Sequence, residues 1–354
     1  MNQIKHLDGI KSQFVDTGRL RTHYLSAGRP EKPAIIFLHG NACSSTIWEE
    51  MMLAFSDNFY CLAPDLRGYG LTDRSAKINA LRGAMDWVDD LESFIRQMEI
   101  LPINLIGHSL GGWICWSAIP QLKELIKSVV LIAPGPPFGF GGVQDRDGKP
   151  NNPDFAGSGA GVVNKEFAKN LEKGLKDAEN PMFSPRAVMN RLFWKEDFTA
   201  EREEAILQSM LQMHYGREQY PGDYTDSKFW PFVAPGKFGP VNALSPKYNR
   251  DVVSELSRSV YKPPLLWLHG EDDQIISNQS LSDPGYQGKI GYRDEWPGEE
   301  VYPPQPMIDQ IRFALEKYGG VVESEVITGV GHSPFIESPE HVYSTVRQFL
   351  FKMK

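Results

Sequence analysis

The stretch from residue 103 to residue 119 constrains this chain most. Residues 103–106 form an apolar run of strand length, residues 110–119 are apolar nearly all round as a buried helix must be, and the junction reads Gly107-His108-Ser109-Leu110-Gly111-Gly112. Strands that alternate with helices and are themselves continuously apolar belong to a parallel sheet covered on both faces. The neighbouring sequence keeps the same rhythm. Residues 20–25, 34–39 and 59–63 read as strands, each closed by turn chemistry such as Ala27-Gly28, Gly40-Asn41 or Pro64-Asp65. Met85, Val88, Leu91, Phe94, Ile95 and Met98 then recur at helical spacing, and residues 128–132 supply the next strand.

That rhythm stops at Pro137 and resumes near residue 259. Glycines dominate at first (Gly139, Gly141, Gly142, Gly148, Gly157), followed by helix-like segments carrying Met189, Leu192, Phe193, Trp194, Ile206, Met210, Leu211 and Met213. The pattern predicts an inserted, mainly helical cap over 137–258, with 1–136 and 259–354 forming one α/β core around a mostly parallel central sheet flanked by helices. The resumed core contains a strand at 265–269, a helix at 307–318, a strand at 321–327, and a last helix with Ser338 as N-cap and Pro339 at its first position. A second insertion, 276–306, carries Tyr286, Tyr292, Trp296 and Tyr302.

Composition narrows the partners. The chain has 354 residues and a formal net charge of −8, which gives no electrostatic reason to expect nucleic acid or an anionic membrane. No apolar run reaches the roughly eighteen residues of a membrane span, and residues 1–15 lack the apolar region of a secretory signal. Cys43, Cys61 and Cys115 are widely spaced with no CxxC pair, which argues against a disulfide framework or structural zinc and makes the cytoplasm the expected compartment.

The chemistry gathers at Ser109. A G-x-S-x-G match between a strand and a helix is the context of a nucleophile elbow, in which a sharp turn lifts the hydroxyl above the strand's end. The competing reading is an ordinary Gly-rich turn with a serine cap. Serine is unreactive near neutral pH and needs an imidazole to take its proton, which in turn needs a carboxylate to fix its tautomer. His332, in the turn-rich loop Gly329-Val330-Gly331-His332-Ser333-Pro334 after the last strand, is the expected base. His39 and His269 each end a strand as a His-Gly pair and read as packing residues. For the acid, the loop Gly270-Glu271-Asp272-Asp273 offers two neighbouring aspartates, between which spacing does not choose.

Together Phe37-Leu38-His39-Gly40-Asn41, Asp65-Leu66-Arg67-Gly68-Tyr69-Gly70, the serine elbow, Gly270-Glu271-Asp272-Asp273 and Gly331-His332 resemble the α/β-hydrolase superfamily, in its capped form. The resemblance implies Asp273 as the acid, three positions after a glycine, and the backbone amides of Leu110 and Asn41 as an oxyanion hole. In outline the chain is similar to haloalkane dehalogenases and epoxide hydrolases, but those carry an aspartate nucleophile where this chain has Ser109. The resemblance and the serine together imply a serine hydrolase, esterase-like, cleaving an ester, lactone or related acyl bond of a small, largely apolar substrate. Other chemistry on such a scaffold would be C–C bond hydrolysis, amide hydrolysis, a slow ligand receptor, a lyase or a cofactor-free dioxygenase. His108, Phe138, Trp194 and Met213 are the residues expected to touch substrate, and neither metal nor organic cofactor is implied. Gly157-x-Gly159-x-Gly161 follows no strand, so it reads as a flexible loop rather than a dinucleotide fingerprint.

Overall fold

The computed structural model describes residues 4–249 and 251–352. Its frame is an eight-stranded sheet built from β1 (Lys11–Asp16), β2 (Arg21–Ala27), β3 (Ala34–Leu38), β4 (Tyr60–Pro64), β5 (Ile103–His108), β6 (Ile126–Ile132), β7 (Leu265–Gly270) and β8 (Val322–Ile327). Their spatial order is β1-β2-β4-β3-β5-β6-β7-β8. The β1–β2 and β2–β4 pairs are antiparallel and the remaining pairs parallel. Strands β3, β4 and β5 are buried at every residue, as continuous apolar runs in a doubly covered sheet require. Strand β1 is absent from the sequence-based expectation. Its sequence KSQFVD has no apolar run, since an edge strand needs only its partner's ladder, and four of its six residues are exposed.

Two groups of helices cover the sheet. The helices α2 (Met85–Gln97), α3 (Leu110–Leu122), α7 (Val252–Arg258) and α8 (Met307–Tyr318) touch one another in series, while α1 (Glu49–Phe55) packs on α9 (Pro339–Lys352). In α2 the apolar stripe Trp87, Val88, Leu91, Phe94 and Ile95 is buried and Arg96 and Gln97 face water. In α3, Trp113, Ile114, Cys115, Trp116 and Ile119 are all buried, which accounts for its unbroken apolarity. Trp113 is thus a core residue, edge-on to Trp87 at 6.2 Å between ring centroids.

Within 137–258 lie α4 (Lys165–Glu172), α5 (Pro185–Leu192) and α6 (Glu203–Met210), together with short strand pairs that do not join the main sheet. Helix α7 falls in the same stretch of sequence but packs on α3 and α8, in the layer that covers the sheet. Met189, Trp194, Ile206, Leu207, Met210 and Met213 share one continuous apolar cluster with the strands.

The glycine-rich start of this stretch is tied down, contrary to the flexible loop expected. From the 276–306 insertion, Gln305 accepts from the Gly141 amide (2.7 Å) and donates to the Gly139 carbonyl (2.9 Å), and Tyr302 Oη donates to the Ala156 carbonyl (3.1 Å). A Cβ on Gly157, whose φ is +84°, would run into the Tyr302 hydroxyl.

The parallel register determines where the loops emerge. His108 pairs with Ile132, Ile132 with Leu268, and Gly270 with Ile327. The chain therefore leaves β5, β6, β7 and β8 along one edge of the sheet, where ligands of open α/β sheets bind.

Candidate active site

Ser109 follows β5 immediately and precedes α3. Its backbone takes φ +53° and ψ −113°, a conformation a non-glycine residue adopts only where its surroundings impose it. Those surroundings are visible. The Ser109 amide donates to the Ile132 carbonyl (3.1 Å), and its own carbonyl accepts from Trp113 (2.8 Å) and Gly135 (3.0 Å). A Cβ on Gly111 would run into the Leu38 carbonyl, so only glycine lets α3 start this close to β3. The Ser109 side chain makes no capping bond to the helix, which removes the reading of this residue as a serine cap. Its hydroxyl is left available for other chemistry.

His332 and Asp273 meet across the loops that follow β8 and β7. His332 Nδ1 donates to Asp273 Oδ2 at 2.8 Å, and each residue is only 2 % exposed. Asp273 Oδ1 accepts two further bonds, from the amides of Ile275 (2.7 Å) and Ile276 (2.9 Å). Burial pushes the Asp273 carboxyl up, but the charge and hydrogen bond of His332 and the backbone amide outweigh it and hold the group below its ordinary value. Asp272, exposed, spends its amide on the Val330 carbonyl, so the choice that spacing leaves open between the two aspartates is made by the turn. With Nδ1–H directed at Asp273, the lone pair of His332 lies on Nε2. No hydrogen bond joins Nε2 to the Ser109 hydroxyl among the described residues; such contacts often tighten only with substrate in place.

The elbow and the base loop are nonetheless joined directly. His108 Nε2 donates to the His332 carbonyl (2.8 Å), and the two imidazoles lie 4.7 Å apart. The His108 ring is enclosed by Trp48, Phe335 and His332, and burial pushes it down to about 3, so it is neutral. A Cβ on Gly40 would lie 3.1 Å from Ser109 Cβ, which brings the turn at Gly40-Asn41 against the nucleophile loop. The amides of Asn41 and Leu110 have no acceptor among the described residues, Leu110 being the first residue of α3. Asn41 is held by Tyr69, whose buried hydroxyl donates to Asn41 Oδ1 at 2.7 Å.

The other expected pocket residues part company. Trp194 is buried against the base loop, since a Cβ on Gly331 would stand 2.7 Å from the Trp194 carbonyl carbon. Met213 is fully buried in the main apolar cluster. Phe138 lies in a separate small cluster with Val253 and Ala314, stacked on Phe313 at 6.3 Å. His39 and His269 each make a backbone bond, to the carbonyls of Gly40 and Ile276. Asp65 and Arg67 tie loops together, Arg67 through a two-point bond to Asp90.

Three groups have no place in the sequence reading. Tyr69 belongs to the Asp65–Gly70 motif, and only its folded partner shows what it holds. Glu337 accepts amide hydrogens from both sides of His332, with Ser333-Pro334 ahead of a helical turn as its one sequence signal. The third is a second Ser-His-Asp row. Ser12 Oγ lies 2.8 Å from His23 Nε2, and His23 Nδ1 donates to Asp65 Oδ2 at 2.7 Å.

Among the described residues no helix is long and apolar enough to cross a membrane, and no group of three or more His, Cys, Asp or Glu side chains is arranged to hold a metal ion.

Against known proteins, residues 33–289 match the family described as the alpha/beta hydrolase fold. The chain is 33 % identical over 128 residues to the AB hydrolase superfamily protein YfhM of Bacillus subtilis, covering 36 % of this chain and 44 % of that protein. It is 34 % identical over 125 residues to a 2-(acetamidomethylene)succinate hydrolase of Mesorhizobium japonicum, covering 35 % and 43 %. The matches thus span less than half the length of these curated relatives. Carboxylesterase CesB of Bacillus subtilis superposes with a TM-score of 0.59 at 19 % identity, over 96 % of this chain and 91 % of that one, a likeness of fold.

Proposed function

We propose that this chain, which belongs to the α/β hydrolase fold family, is a serine hydrolase in which Ser109 is the nucleophile, His332 the general base and Asp273 the orienting acid. The observation that carries the reading is the buried His332–Asp273 pair, set on the same sheet edge as a serine in a positive-φ elbow. His332 Nε2 takes the hydroxyl proton as Ser109 Oγ attacks the substrate carbonyl, and Asp273 stabilises the imidazolium that results. The amides of Leu110 and Asn41 receive the developing oxyanion, each supplying about 3 to 4 kcal/mol if they match single-donor removals elsewhere. His332 then protonates the leaving group, and water, deprotonated by the same imidazole, releases the acid from the acyl-enzyme.

The substrate we infer is small and largely apolar, with an ester, lactone or related acyl bond, because Trp194 and Met213 of the lid segment are buried in the same apolar cluster as the strands that carry the site. The lid over it is the segment 137–251; α7 is assigned to the core, on which it packs. His108 holds the base loop through its bond to the His332 carbonyl. An alkyl fluorophosphonate should label Ser109 in the parent and leave Ser109→Ala unlabelled at that peptide, and a panel of acyl esters, lactones and amides should be turned over only by the parent. Ester turnover undiminished in Ser109→Ala would overturn the assignment.

A further inference from the structure

Glu337 ends the short helical turn Pro334–Glu337, five residues beyond the proposed base, and is half-buried. Its carboxylate forms no ion pair among the described residues and is spent entirely on backbone. Oε2 accepts from the amides of Gly331 (2.9 Å) and Lys195 (2.9 Å), and Oε1 accepts from Ser333 (3.2 Å). Gly331 and Ser333 flank His332, whereas Lys195 belongs to the lid segment after α5 and follows the buried Trp194. A Cβ on Gly331 would stand only 2.5 Å from the Lys195 nitrogen, so lid and base loop are in backbone contact at the point where one carboxylate joins them. Burial pushes the Glu337 carboxyl above its ordinary value, and the three amides work against that shift.

From this geometry we propose that Glu337 is a positioning residue that locks the His332 loop to the lid segment Trp194–Lys195, so that seating the lid and orienting the base are one event. The proposal rests on the triad reading. Its physical basis is that the imidazole's aim depends on the backbone either side of it, and those two amides share their acceptor with the lid. If the lid lifts, one of three charge-assisted bonds is lost and the carboxylate is free to turn away from Gly331. Glutamine cannot substitute: with its oxygen on Lys195 and Gly331, its NH2 faces the Ser333 donor, and flipped it abandons the other two.

The test is steady-state ester hydrolysis by the full chain, with kcat expressed per Ser109 titrated by the fluorophosphonate, so that unfolded or inactive molecules do not count. Glu337→Gln is expected to lower kcat about tenfold with KM within about twofold, the size of effect a small misplacement of a catalytic group produces. Lys195→Pro removes the lid's donor, replacing its N–H with a ring carbon that also presses on Glu337, and should lower kcat in the same direction. It also keeps the proposal testable if Glu337→Gln fails to fold. In both variants the downfield proton resonance of His332 Nδ1–H against Asp273 should broaden or move. A kcat per titrated site equal to the parent's in either variant, or a loss confined to KM, overturns the coupling. Failure of the triad reading looks different: the parent itself would carry no label on Ser109.

Discussion

Two Ser-His-Asp rows lie among the described residues, one at the carboxyl ends of β5, β7 and β8 and one between β1, β2 and the loop after β4. By hydrogen bonding alone the second is the more complete, with both links formed, Ser12 to His23 and His23 to Asp65. Its aspartate is also the more heavily satisfied. Asp65 accepts from the Ser45 amide (2.9 Å), the Ser45 hydroxyl (2.6 Å) and the Leu71 amide (2.9 Å) besides His23. What it lacks is everything around the serine. Ser12 lies on an edge strand, paired with Leu25, with neither a strained turn to present it nor a helix start beside it. Ser109 has both, together with two amides that have no acceptor among the described residues. The contrast teaches that a row of three side chains is a fastening unless an electrophile can be held over the hydroxyl, where transition-state charge is stabilised.

Substitutions can break or sharpen this contrast. The largest effect expected is on Ser109→Ala, whose kcat should fall by about 10⁴ or more, while Ser12→Ala stays within about twofold of the parent on the same ester. Asp273→Asn should cost about 10⁴ in kcat with little change in KM, because an amide facing His332 Nδ1 favours the wrong tautomer. Both are read by steady-state kinetics, and a large loss in Ser12→Ala would collapse the distinction between the two rows.

For the second row the measurable quantity is stability. Burial pushes the Asp65 carboxyl up, but the bond and charge of His23, with His39 and Ser45, bring it down to about 2 from an ordinary value of 3.8. A depressed carboxyl favours the fold above its unfolded value and loses that contribution as pH falls through the folded one. Asp65 should therefore contribute on the order of 2 kcal/mol at pH 5 and above, fading between about pH 4 and pH 2. Urea unfolding of Asp65→Asn across that range should show a flatter acid limb than the parent. The smallest effect belongs to Tyr69→Phe, which frees Asn41 Oδ1 and should lower kcat by less than about tenfold with thermal stability nearly unchanged.

What was legible from the residues divides along the same line. The strands β2 to β8 and the helices α2, α3, α8 and α9 could be read because their apolar periods and flanking turn residues show in windows of about ten residues. The elbow could be read because its glycines and serine are contiguous. Strand β1 could not, since most of its residues are exposed and its place is fixed only by pairing with β2. Helix α7 looked like part of the insertion because a seven-residue helix carries no mark of which layer it joins. Phe138, expected at the pocket, packs on Phe313 instead, an outcome of chain path that no local pattern encodes.

By itself, then, the order of residues determined the sheet, its mostly parallel sense and the presence of a serine between a strand and a buried helix, all consequences of short-range periodicity and turn chemistry. Tertiary structure decided which aspartate faces His332, that Glu337 gathers three amides from two segments, and that Ser12 and His23 meet. Those choices depend on hydrogen-bond angles between residues from 4 to 142 positions apart, and only the completed tertiary structure brings such groups within about 3 Å of one another.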